Sequence, residues 1–213
     1  MTRTLKEKAI DYFLTLYLVD DAFSRLKIGF LPDTKLQKLV FLSEKSMIHE
    51  REKGFNFNFI KLTHGPFSQE LKTSYDNLSQ IGILGEFGLT PTTNSKIILE
   101  DFQEIIKRNT TFFQKITTVN NDFARMPLEE LLKIIYAMPW GGKDQTIADL
   151  QPRTPMLYPL KPNNVKIEFE LTNDDVENLL MNFDVKTVKM SLQAMKEMRA
   201  GGLLTHEQVF SNL

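Results

Sequence analysis

The stretch Thr34–Lys53 constrains the fold more than any other part of the chain. Leu36, Leu39, Val40, Ser43 and Met47 fall on one helical face, and Phe41 and Leu42 widen the apolar arc. A helix with so wide an arc has to be packed on more than one side, so the remaining chain must wrap it. Asp33 or Thr34 is the expected N-cap, and Gly54 the expected stop. Material for the wrapping is present. The chain has 213 residues, 42% hydrophobic and 25% charged, with 16 Phe. That fits one domain of ordinary size, or one with an appendage, and argues against wholesale disorder.

The elements around that helix are read from the same signals. Leu5, Ala9, Ile10, Phe13, Leu14, Tyr17 and Leu18 mark an N-terminal helix that fades after Phe23. Phe55, Phe57 and Phe59 alternate with polar residues, which predicts a short extended segment with one face buried. Thr63-His64-Gly65-Pro66 reads as a tight loop. Ser68 can cap a third helix whose core face is Leu71, Tyr75 and Leu78, closed by Gly82 as a C′ glycine. Ile83-Leu84 and Lys96 to Leu99 are expected to form a small hairpin. A fourth helix is expected over 101–117. A fifth starts at Pro127 as the first helical residue, with Leu128, Leu131, Leu132, Ile135 and Tyr136 as its stripe.

Beyond Trp140 the character changes. Gly141, Gly142, Pro152, Pro155, Pro159 and Pro162 lack periodicity, so 141–164 reads as a semi-extended linker or arm. Val165, Ile167, Phe169 and Leu171 alternate with charged residues and predict a strand. Helices are expected over 173–183 and 185–199, and Thr205 to Gln208 is a capping box for a last short helix. The expected organisation is therefore three parts: a helical domain over 1–140, the arm over 141–164, and a β-α-α unit over 165–213. The fold class is mainly α with a small β-hairpin or sheet (α+β).

Charge and chemistry narrow the functional classes. The net charge of −1 hides 16 Lys and Arg against 14 Asp and Glu over residues 1–120, and 5 against 8 over 163–213. A protein whose whole surface is built to hold nucleic acid is thereby disfavoured. With no Cys, thiolate metal sites, disulfides and Cys nucleophiles are excluded. His49, His64 and His206 sit in different segments, at no metal-ligand spacing. Asp20-Asp21 and Asp174-Asp175 are adjacent, so on a helix they point about 100° apart and form no ready dyad. Gly141-Gly142-Lys143 lacks the spacing of a phosphate loop, and no nucleophile-elbow pattern occurs. Nothing asks for an enzyme or a cofactor. No apolar run approaches the length of a membrane span, no cleavage-type leader is present, and a cytoplasmic chain is the expectation.

Two segments carry a more specific pattern. Thr34-Lys35-Leu36-Gln37-Lys38-Leu39-Val40-Phe41-Leu42 is followed by Phe59 to Ser68 with its Gly65-Pro66 turn. Leu71, Leu78 and Gly82-Ile83-Leu84 come next. Together these resemble the Panacea domain family of phage-associated antitoxins of GepA and SocA type, over residues 5–140. The family's pattern is a "KLQKLLY"-like helix, a "GP" turn and a helix ending in "L…GxI". Here Phe41 takes an aromatic slot, and Lys61-Leu62-Thr63-His64 precedes the turn in place of an aromatic or acidic residue. The ending Arg199 to Phe210 is also similar to that of several small antitoxins.

What the resemblance implies is an antitoxin that binds and neutralises an unrelated toxin protein in a toxin–antitoxin system. The cognate toxin is the expected partner, with a homo-oligomer left open. Lys35, Gln37 and Lys38 are expected on the polar side of the helix. With Phe41, His64, Gly65, Pro66 and Trp140 they are the candidate partner-binding residues. An acidic C-terminal unit would complement a basic, RNA-directed toxin. The rival reading is a DNA-binding regulator, with the helix after Ser68 as recognition helix and the expected hairpin as wing. Its outward residues Gln69, Glu70, Lys72, Thr73, Asp76 and Asn77 hold two acids against one base, a poor surface for phosphates.

Overall fold

The computed structural model describes residues 3–85, 88–140, 144–183, 185, 188 and 190. Two long helices occupy its centre, α1 (Leu5–Ser24) and α2 (Asp33–His49). Thr4 and Glu7 form a capping box at the start of α1, Glu7 N donating to Thr4 Oγ1 (3.1 Å) and Thr4 N to Glu7 Oε2 (2.8 Å). Ala9, Phe13, Leu14, Leu16, Leu18, Val19 and Ala22 are all buried, so α1 is covered nearly all round. Each fully buried Val, Leu or Phe among them contributes roughly 1.5–3 kcal/mol. The N-cap of α2 is Pro32, one residue earlier than expected. The wide arc of α2 is buried throughout, as Leu36, Leu39, Val40, Phe41, Leu42 and Met47 attest.

The helix α2 stops at His49, four residues short of the expected end. Arg51 takes a positive φ of 61°, and Glu52–Lys53 become strand β1. The reason is non-local: β1 pairs in parallel with β5 (Ile167–Glu168), more than 100 residues on. The antiparallel pair β2 (Phe59–Leu62) and β3 (Gly65–Phe67) follows, and β4 (Pro155–Leu157) adds to the other edge of β2. Phe55, Phe57 and Phe59 are all buried, but so is the intervening Asn56, so one-faced alternation fails there.

Helix α3 (Gln69–Gln80) matches its expectation. Ser68 caps it, accepting from Leu71 N (3.3 Å), and Gly82 takes φ +73°. The expected hairpin does not form. Leu84 makes a single bridge to Pro91, and Lys96 to Leu99 lie in α4 (Thr93–Asp101), with Ile98 and Leu99 turned into the core. The expected helix over 101–117 is divided into α5 (Gln103–Arg108) and α6 (Thr110–Phe123). Their boundary is Asn109, whose side chain leaves the helix pattern to bind the backbone of Glu170 (2.7 and 3.0 Å). Helix α6 packs against both central helices. Helix α7 (Leu128–Tyr136) begins one residue after Pro127, which is its N-cap.

The described parts of the expected arm and C-terminal unit lie on this same core. Ile147, Leu150, Met156 and Leu157 are buried, and β4 is part of the sheet. The expected strand over 165–171 is ordered as a strand only at β5. Phe169, just after it, wedges between Phe112 (5.3 Å between centroids) and Phe113 (5.8 Å). Helix α8 (Asn173–Phe183) buries Leu179 and Phe183 and packs on α1. The helix expected over 185–199 falls almost wholly outside the described residues, and the capped helix at 205–210 entirely so. The result is the expected class: mostly helical with a small sheet.

Candidate functional site

The two sequence signatures, the KLQKL segment and the Gly-Pro turn, meet in one polar joint. Gln37 of α2 pairs with Ser68 through both ends of its amide. Nε2 donates to Ser68 O (3.0 Å), and Oε1 accepts from Ser68 N (2.8 Å), as a neighbouring strand would. One residue along, Lys38 Nζ donates to Pro66 O (3.0 Å). Three bonds thus tie α2 to the strand and cap that follow the turn. Pro66 has no N–H, so its carbonyl is its only backbone hydrogen-bonding group.

The turn is held from other sides as well. Gly65 adopts φ +83°, a region that strains any side chain. A Cβ there would stand 3.4 Å from Leu132 Cδ2 and 3.5 Å from Lys38 Cε. Tyr136 Oη, at the end of α7, donates to Thr63 O (2.8 Å). Lys61 Nζ donates to the carbonyls of Ala148 (2.6 Å) and Leu150 (2.5 Å), and lies 5.8 Å from the centre of the Tyr136 ring. So α2, α7 and the 3₁₀ turn Ile147–Asp149 all grip this hairpin.

These positions correct the expectation for the polar residues of α2. Lys35, Gln37 and Lys38 are buried, not on a solvent-facing side. Lys35 points away from the turn and donates to Ala124 O at the end of α6. Burial lowers its pKa, and pushes that of Lys38 down to about 8. Phe41 is fully buried and stands edge-on to Phe59 at 5.5 Å, beneath the hairpin. His64 is exposed at the hairpin tip. Trp140 is half-buried beyond α7, its backbone N–H donating to Gln145 O (2.8 Å). Of the eight candidates, Gln37, Lys38, Gly65 and Pro66 are joined directly. Tyr136, Lys61 and Ser68 belong to the same joint and are not among those eight candidates. Tyr136 had a visible signal, a hydroxyl at the end of an otherwise apolar stripe.

Two open surface grooves lie elsewhere. One, of about 600 Å³, is bordered by Lys6, Arg108, Lys166, Glu168 and Glu170. The other, of about 300 Å³, is bordered by Asp33, Tyr75 and Asp76. Charge in the first is mixed, and Arg108 is already paired with Asp175 (2.6 Å). Among the described residues no group of three or more His, Asp or Glu is placed to hold a metal ion. Nor is any helix among them long and apolar enough to cross a membrane. Comparison with family models, curated protein sequences and solved structures finds no match to the chain.

Proposed function

We propose that the protein is a cytoplasmic antitoxin that neutralises a toxin protein by binding it directly. The observation that carries this reading is the joint itself. The two signatures of the Panacea-like pattern are far apart in sequence yet tied by Gln37 and Lys38 to Ser68 and Pro66. That gives their co-occurrence a physical basis and supports treating them as one unit. The roles of the candidates change accordingly. Lys35, Gln37, Lys38 and Phe41 fix the platform from inside, while His64 at the exposed tip and Trp140 at the edge are left to touch a partner. Aromatic anchors of this kind are favoured in interfaces.

The rival DNA reading loses support from two features. Its expected wing is absent, since Lys96 to Leu99 are helical, and the lysine of its recognition helix, Lys72, is paired with Asp76. Co-expression with the product of the neighbouring gene tests the proposal. Rescue of growth and co-purification are expected, and His64→Ala with Trp140→Ala should weaken capture without unfolding the chain. A neighbour harmless alone, or no complex, would sink the antitoxin reading. Salt-sensitive, sequence-preferring binding to its own promoter would instead revive the regulator.

A further inference from the structure

Beneath the N-terminal segment two carboxyl groups are buried together. Asp11 of α1 is completely enclosed. Its Oδ2 is bound by Arg3 Nη1 at 2.5 Å, and its Oδ1 accepts from Asn56 N (2.7 Å) and Asn56 Nδ2 (3.3 Å). The Arg3 guanidinium also lies 5.0 Å from the centre of the Phe57 ring. Glu44 of α2 is equally enclosed. Neither of its oxygens has a full hydrogen bond, although the Phe57 amide faces it. The charges facing this pair are few. Arg3 comes from the N-terminal segment. Glu70 of α3, held by Asn58 (2.8 Å) and Ser68 (3.0 Å), adds a further acid. Glu7, one turn before Asp11, is already paired with Lys53 (2.9 Å).

Charge balance decides what this cluster holds. Two buried carboxylates facing one guanidinium leave a net negative charge in the core, which is expensive without a partner. One proton on the pair makes it neutral. The contrast with Asp21, on the same helix α1, is instructive. Asp21 receives Arg25 at both oxygens (2.8 and 2.9 Å), Asn120 at 2.7 Å and Thr117 at 3.2 Å, so both its oxygens are partnered.

The geometry points to a proton-held latch: Asp11 and Glu44 retain a proton that lets Arg3 and the 54–57 segment fasten α1 to α2, and losing it weakens that joint. This device stands apart from the antitoxin reading and does not depend on it. Burial pushes the Asp11 pKa up to about 7 against the opposing pull of Arg3 and Asn56. For Glu44, burial first and the Asp11 charge second hold it well above the usual carboxylate range. Unfolded carboxyls titrate near about 4. Groups raised on folding contribute stability that is complete below the unfolded value. It is lost as pH rises through the folded values, about 7 for Asp11 and well above the ordinary carboxylate value for Glu44.

The test is urea unfolding of the full chain between pH 5.5 and 8.5, in wild type, Glu44→Gln and Arg3→Ala. The wild-type folding constant should fall with pH, by up to about tenfold per unit for each proton that only the folded state keeps. Glu44→Gln supplies a permanently neutral group of the same shape, so its curve should be shallower and cross above wild type at the alkaline end. A wild-type curve that is flat or rises, or a Glu44→Gln curve parallel to it, overturns the latch. Should Glu44→Gln fail to fold, Arg3→Ala decides. A penalty that grows with pH supports the latch, and one that is constant with pH overturns it.

Discussion

Helix α2 carries two buried polar inserts less than two turns apart, and they are built on opposite principles. At Gln37 and Lys38 the side chains meet backbone groups of opposite character, donor to acceptor, three times over. At Glu44 acceptors crowd together with Asp11 close by, and neither Glu44 oxygen is fully bonded. Burial is the same at both sites, so burial alone does not tell what a polar residue does inside a protein. The matched insert is a joint, which fixes a turn in place. The unmatched one stores a proton and with it a dependence on pH.

The largest test of that contrast is Gln37→Ala. It leaves the Ser68 N–H buried and unpaired, while Ser68 O keeps its bond from Lys72 N (3.1 Å). The expected cost is about 2 kcal/mol in urea unfolding, since an orphaned buried group costs roughly 1–3 kcal/mol. A loss below about 1 kcal/mol would mean that water reaches Ser68 and that the joint is not dry. Glu44→Gln removes nothing that is bonded, so the two glutamine-related changes on one helix should move stability in opposite directions above neutral pH.

The next test uses the sign of the pH dependence. Lys38 titrates near 8 in the folded protein, below its unfolded value of about 10.5. The folded state therefore holds fewer protons between those values, and its stability from this group rises with pH across that window. It is lost as pH falls to about 8. The acid pair acts in the reverse sense. Lys38→Met, which keeps the stem and drops the charge, should fall progressively further behind wild type from pH 8 to 10. The gap should grow by up to about tenfold per unit in the folding constant. A constant gap would show that Lys38 keeps its charge hydrated and that the two inserts differ less than their bonds suggest.

Much of the architecture is legible in the chain because it is written in local patterns. The stripes of α1, α2, α3, α7 and α8, the Ser68 cap and the Gly82 stop each follow from side chains within a few residues of one another. The stretches whose local pattern misleads depend on partners farther away. Lys96 to Leu99 look like a strand because Ile97, Ile98 and Leu99 run together, but the Thr92–Ser95 cap makes them a helix with Ile98 and Leu99 inward. The proline-rich arm has no period of its own, and becomes β4 only because β2 offers an open edge. The site was half legible. KLQK and Gly-Pro stand out as strings, yet lysines and glutamine in a helix read as solvent-facing until the turn carbonyls are seen above them. Asp11 and Glu44 gave no signal, since each sits alone in its own helix and their nearness is purely tertiary.

The smallest effect belongs to a polar pair that is neither joint nor latch. On α3, Lys72 Nζ lies 2.7 Å from Asp76 Oδ2 at i,i+4 spacing, with side chains 40% and 44% exposed. Water competes for both groups, and the basic residue precedes the acid, the weaker orientation for a helix pair. Asp76→Asn should therefore cost only about 0.3 kcal/mol, and nothing measurable in 1 M salt, where screening is nearly complete. The Gln37→Ala penalty should be the same in both salts, because an amide bonded to backbone carries no net charge to screen. Thermal unfolding of both variants at low and high salt separates the cases. A salt-insensitive loss at Asp76 would place that pair with the buried inserts, and would mean that exposure is a poor guide to which polar contacts hold this fold.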